Sequence, residues 1–171
     1  GIKQKLLERI KLCKLPPLQR RSLPFECYWE DSILIQEQKL IFSNQWLGLG
    51  RADRLETSGE YEVFELCGQA LVLIRDQDNI LRLYANTCRH RGAKLLDGTG
   101  QCQAISCPFH GWTYTLDGNL KYAKTMSENP NFDFSEHSLI EYKLKELQGF
   151  LFAFLGNQPT DLDTQLGNFS E

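Results

Sequence analysis

The sequence predicts a mainly β protein, an antiparallel sandwich or barrel, with a helical segment ahead of it. Two observations carry that reading. From Trp46 onward, short runs rich in β-branched and aromatic residues alternate with glycine-bearing turns. Before Trp46, apolar residues recur at helical spacing instead.

Ile2, Leu6, Leu7 and Ile10 share one helix face, and Pro16-Pro17 must end that segment because proline lacks the N–H a helix interior needs. A second helix is expected to start near Asp31-Ser32, either of which could cap it. It would run through Ile33, Leu34, Glu37, Leu40 and Ile41. Residues 1–45 thus form the helical segment. Strands are expected at 61–66, 70–75, 80–85, 104–107, 112–115 and 149–155, parted by turns at Cys67-Gly68, 76–79 and Asp117-Gly118. The last is a hairpin signal, since a type I′ turn needs two residues that tolerate positive φ. These strands place one domain at 46–156. Residues 157–171, polar with scattered leucines, read as a tail or linker. There is no internal repeat.

The 171 residues suffice for one domain of ordinary size. A net charge of −3 gives no reason to expect nucleic acid or an anionic membrane as partner. No apolar run approaches the roughly 18 residues of a membrane helix. The charged N-terminus is not a secretory signal, so a cytoplasmic location is the default expectation. Six cysteines in a chain with no export signal read as reduced thiols or metal ligands rather than a disulfide framework. Cys13, Cys27, Cys67 and Cys102 stand apart from any histidine and read as incidental free thiols.

The informative stretch is Cys88-Arg89-His90-Arg91-Gly92, followed by Cys107-Pro108-Phe109-His110-Gly111-Trp112, with sixteen residues between His90 and Cys107. Each arm follows an expected strand, which makes both arms loops at the end of a rigid sheet. Thiolates and imidazoles together suit an iron–sulfur cluster or zinc. Zinc sites of this composition usually group cysteines in one arm and histidines in the other. Here each arm is mixed, which suits a two-iron rhomb with Cys88 and Cys107 on one iron and His90 and His110 on the other. Gly92 and Gly111 would let the backbone turn and bring N–H donors close to bridging sulfides.

On these residues, CRHRGAKLLDG and CPFHGWTYTLDG, the chain resembles the N-terminal domain of Rieske non-haem iron oxygenase α subunits, the ring-hydroxylating type. The resemblance runs from about Tyr28 to Phe154 and takes in FSNQW, EYEVFELCGQALVLIRDQDN and LQGFLFAFLG. It implies a Rieske-type antiparallel β-sandwich with a cluster-binding subdomain. It also implies a [2Fe–2S] cluster on Cys88, His90, Cys107 and His110, with the two histidines on the exposed edge. Arg91 would support the first loop, Trp112 would pack under the second, and Tyr114 with the Asp117-Gly118 turn would be scaffold. The implied electron donor is a ferredoxin or flavin reductase. The implied acceptor is a mononuclear iron catalytic domain, in the family that of a neighbouring subunit in a trimer. Respiratory Rieske proteins carry an additional cysteine in each loop, whereas Ala93 and Phe109 stand at the corresponding places here. With no such bridge and fewer polar groups around the sulfides, the potential is expected toward the low end of the Rieske range, near about −150 mV.

A mononuclear oxygenase iron needs two histidines and a carboxylate. The chain has three histidines, and two are spent on the cluster. His137 alone remains, read as a solvent-exposed loop residue. The chain is therefore expected only to transfer electrons, with a catalytic domain removed, lost or encoded elsewhere; Gly1 as first residue fits an excised domain. The alternative is a free-standing Rieske ferredoxin. Ferredoxins of this kind usually begin almost directly with the sheet, so the helical stretch before Trp46 speaks against it.

Overall fold

The run Leu71–Ile74 is apolar at four successive positions because the strand that contains it is covered on both faces. In a computed structural model, which describes residues 2–124, 126 and 128–167, Gln69–Arg75 pairs on both sides and Leu71, Val72, Leu73 and Ile74 are all fully buried. Alternate side chains point to opposite faces of a strand. Val72 and Ile74 accordingly join one core cluster, with Tyr84, Cys88, Cys107, Trp112 and Tyr114, while Leu71 and Leu73 join another, with Leu83, Leu151 and Ala153.

The chain divides into two units, Gly1–Ile41 and Phe42–Glu171. In the first, α1 (Ile2–Lys11) runs into a 3₁₀ turn that stops at Lys14. Leu15 is extended (φ −66°, ψ 162°), as a residue before proline prefers. The second helix, α2 (Asp31–Leu40), has Glu30 at its N-cap with no side-chain cap bond. Neither Asp31 nor Ser32 caps it; both lie in its first turn, where the Asp31 carboxylate suits the positive end of the helix. The side chain of Ile2, one of the four expected on the α1 face, lies outside the described residues.

Among its described residues the second unit carries ten strands: β1 (Leu47–Arg51), β2 (Glu60–Leu66), β3 (Gln69–Arg75), β4 (Leu81–Ala85), β5 (Thr99–Gln101), β6 (Ile105–Ser106), β7 (Thr113–Tyr114), β8 (Leu120–Tyr122), β9 (Glu141–Leu147) and β10 (Phe150–Phe154). They form a seven-stranded sheet in the order β1-β10-β9-β4-β3-β2-β5 and a three-stranded sheet β6-β7-β8, antiparallel throughout. The expected mainly β, antiparallel architecture is present. Four strands went unforeseen. Glycines interrupt β1, β5 and β8 are three residues long, and β9 hides its Tyr142 and Leu144 alternation among charges.

The Asp117-Gly118 hairpin exists, but its turn is not type I′. Only Gly118 has positive φ, and the turn closes through Gly118 N–H to Thr115 O (3.0 Å) and Thr115 N–H to Asn119 O (2.9 Å). Paired positive φ occurs instead at Cys67-Gly68, joining β2 to β3, and at Gln148-Gly149, joining β9 to β10. Residues 157–171 read from the sequence as a tail or linker. Within them α3 (Leu162–Leu166) forms, capped by Asp161, which accepts from Thr164 N–H, and buries Leu162. Trp46 anchors this end: its indole N–H donates to Thr160 O (2.6 Å) and its backbone exchanges two bonds with the Gln165 amide. Residues 168–171 lie outside the described residues. Among the described residues no helix is long and apolar enough to cross a membrane.

Candidate metal centre

Both cysteine–histidine segments are hairpin tips closed by the same two backbone bonds. In the first, Cys88 N–H donates to Ala93 O (2.7 Å) and Gly92 N–H to Cys88 O (2.9 Å). In the second, Cys107 N–H donates to Trp112 O (2.8 Å) and Gly111 N–H to Cys107 O (3.1 Å). The second tip caps the β6–β7 hairpin, and the first rests on a Thr87–Lys94 bridge beyond β4. Gly92 (φ +75°) and Gly111 (φ +69°) occupy matching positions. No protein atom lies within 4 Å of a Cβ built at either, so among the protein's own atoms the left-handed turn, and not close approach, is what calls for glycine.

Cys88 and Cys107 are buried (2% and 4% exposed) and belong to one apolar cluster. The histidines lie further out: His90 is half-buried and His110 exposed, and their rings meet edge to face at 4.8 Å. Burial first, then the charges of His110 and Arg91, hold His90 below the ordinary histidine range and favour the neutral imidazole, the form that binds metal. Arg91 is exposed and acts on His90 through its charge. Trp112 is buried in the second tip, yet its ring stacks on the imidazole of the first, His90, at 4.8 Å and 13°.

Three further residues belong to the site. Tyr114, read from sequence as scaffold, is fully buried, with its hydroxyl 3.4 Å from Cys88 Sγ and accepting the Arg89 N–H at 3.0 Å. Burial, then the hydrogen bond with Cys88, pushes its pKa up, so it stays a protonated donor. Asn86, also buried, grips Leu96 at both backbone groups: Nδ2 donates to Leu96 O (2.8 Å) and Oδ1 accepts Leu96 N–H (3.0 Å), which cross-braces the first hairpin. His137 is not a solvent-exposed loop residue. It is half-buried, stacked on Phe132 at 4.4 Å and edge-on to Trp112 at 5.7 Å. A lone polar residue between segments carries no pattern, so only Asn86's place just before the first motif could have drawn notice.

The profile of the Rieske [2Fe–2S] domain matches residues 45–142, more than half of the chain and both hairpin tips. The chain belongs to the Rieske [2Fe–2S] domain family. It is 32% identical over 88% of its length to the oxygenase subunit of carnitine monooxygenase from Escherichia coli K12, and 31% identical over 88% to that of glycine betaine monooxygenase from Chromohalobacter salexigens. A solved quaternary ammonium Rieske monooxygenase, studied for carnitine oxidation and inter-subunit electron transfer, superimposes with a TM-score of 0.80 at 32% identity, over 86% of this chain and 40% of that one. The Rieske chain spans 40% and 34% of the length of these two curated relatives.

A Rieske domain carries a [2Fe–2S] cluster with two thiolate and two imidazole ligands, and the residues present fit one. His90 Nδ1 is buried and has no hydrogen-bond partner. A buried nitrogen left so is costly, and a metal bond would satisfy it. All six cysteines, each among the described residues, are free, so no disulfide occupies the sulfurs of Cys88 and Cys107. With Ala93 and Phe109 at the places named above, neither tip carries a second cysteine.

Proposed function

We propose that Cys88 and Cys107 hold one iron and His90 and His110 the other, and that this domain relays single electrons from a ferredoxin or flavin reductase to the mononuclear iron of an oxygenase. The observation that carries this reading is the matched pair of tips. Each is closed by the same two bonds and presents a buried thiol with a more exposed imidazole. The cluster supplies reversible one-electron chemistry when bound.

The chain's own residues supply the rest. Two short hairpins hold the donors rigidly, which limits rearrangement when charge changes. Apolar packing around Cys88 and Cys107 keeps water from the sulfur side, while His110 offers an exposed edge through which an electron can leave or enter. The acceptor iron lies in protein outside these 171 residues. Three histidines in all, two of them in the tips, cannot furnish both sites. Transfer across a subunit boundary, possible within a trimer, is supported by likeness to the quaternary ammonium monooxygenase.

A free Rieske ferredoxin is the second reading. Against it stands the reach of the similarity. A match over 88% of the chain takes in part of the helical unit, because Phe42–Glu171 supplies only 130 of 171 residues.

The test is anaerobic reconstitution of the full chain with iron and sulfide. We expect about two irons and two sulfides per chain, a Rieske EPR spectrum on reduction and a midpoint of about −150 mV. Cys107→Ser and His110→Ala should abolish the signal. A colourless protein that retains zinc in preference to iron would end this reading.

A further inference from the structure

We propose that His137 is a positioning residue for the cluster: with Phe132 it clamps Trp112, and through Trp112 it sets the plane of the His90 ring. This rests on the reading above that His90 is a ligand.

The rings form a continuous column. Trp112, 3% exposed, lies nearly parallel to His90 (4.8 Å, 13°). Its other ring contacts are two edge-to-face rings, Phe132 (5.7 Å, 81°) and His137 (5.7 Å, 70°), and these two stack on each other at 4.4 Å. Offset and edge-to-face pairs are the arrangements in which aromatic quadrupoles attract, so each ring in the column constrains the tilt of the next.

The far end is itself anchored. His137 Nδ1 lies 2.9 Å from Asp133 O. A carbonyl can only accept, so Nδ1 carries the hydrogen and the imidazole cannot turn without breaking that bond. The Asp133 carboxylate in turn accepts from Ser135 N–H (2.8 Å) and Oγ (2.7 Å), which fixes the turn that delivers His137. A branched aliphatic side chain at 137 could fill the same volume but could not define a plane.

Among the described residues His110 has no equivalent support. It is exposed, and its ring contacts there are an edge-to-face contact with His90 and a tilted Phe109 at 6.5 Å. The clamp therefore acts on one imidazole of the two. That asymmetry separates positioning from general support of the fold, because loosening the column should disturb one iron–nitrogen interaction and spare the other.

The experiment compares the reconstituted full chain with His137→Ala and His137→Phe, reading iron and sulfide content together with nitrogen hyperfine couplings and line widths in pulsed EPR. His137→Ala is expected to load the cluster, with one of two nitrogen couplings altered and the lines broadened. His137→Phe, which keeps a ring but loses the bond to Asp133 O, should load the cluster and lie between the other two, with lines narrower than those of His137→Ala. A loaded His137→Ala protein whose couplings and line widths are unchanged overturns the inference and leaves the ligand assignment intact. An unsubstituted protein that holds iron and sulfide but shows no pair of nitrogen couplings overturns the assignment and the inference with it. Should His137→Ala fail to load, His137→Phe decides. A loaded His137→Phe protein that shows two nitrogen couplings supports the clamp, and failure of both variants to load overturns it, because a ring at 137 then does not hold the column.

Discussion

The Tyr114 hydroxyl oxygen accepts the Arg89 N–H at 3.0 Å while lying 3.4 Å from Cys88 Sγ. With its oxygen occupied as acceptor, the hydroxyl is free to aim its hydrogen at the sulfur. Such a bond favours the more negative, reduced state of a cluster ligated there, in keeping with the way hydrogen bonds to the sulfurs tune these centres. Tyr114→Phe should therefore lower the midpoint. A differential of about 1 kcal/mol corresponds to roughly 40 mV for one electron. Spectroelectrochemical titration of both proteins checks it, and an unchanged or higher midpoint contradicts it.

Asn86 satisfies both backbone groups of Leu96 from a position 1% exposed. Asn86→Ala removes two bonds and strands a donor and an acceptor at the base of the first tip. The expected loss is about 2–4 kcal/mol, read from urea unfolding, with cluster release at lower denaturant than in the unsubstituted protein.

Gly111 and Gly118 both have positive φ, but their surroundings differ. A Cβ at Gly111 meets no protein atom within 4 Å, whereas one at Gly118 would lie 2.8 Å from the ring of the buried Tyr84. Gly111→Ala should cost about 1 kcal/mol from backbone conformation alone. Gly118→Ala should cost about 2–4 kcal/mol, because overpacking adds to it. Thermal unfolding of the two variants should rank them in that order.

Acid should weaken the sheet at Asp76, which is fully buried. Burial by itself would raise its pKa, but the Arg82 guanidinium at 2.6 Å and the N–H groups of Ile80 and Asp78 prevail and hold it below the ordinary carboxylate range. A depressed folded pKa means the stabilisation is whole above the unfolded value of about 3.9 and disappears as pH falls through the folded one. Asp76→Asn should be less stable than the unsubstituted protein by about 2 kcal/mol at pH 7, and the gap should narrow below about pH 4. A constant gap from pH 7 to pH 2.5 would refute this.

Local patterns were legible and long-range partners were not. The mixed Cys–His arms, the glycine after each and the apolar run of β3 are features of contiguous residues, and their physical meaning follows from ligand chemistry, backbone freedom and burial on both faces. The strand β9 is hard to read because the exposed Glu141, Lys143 and Glu146 and the half-buried Lys145 break up its apolar alternation, and α3 because five residues with one buried leucine hardly differ in composition from a loop. The half-burial of His137 is not legible in the sequence, because exposure is a property of what folds over a residue. Phe132 and Trp112, five and twenty-five positions upstream, cover it.

The sequence by itself determined the family, the cluster type and the four donor residues expected to hold it, since thiolate and imidazole spacing within a short tip is a matter of local reach. Only the tertiary structure decided which groups surround those donors. Tyr114 beside Cys88, Asn86 across to Leu96 and the column from His137 to His90 join residues 10 to 47 positions apart. Contacts of that span are made by antiparallel pairing and side-chain packing, and no periodicity along the chain encodes them.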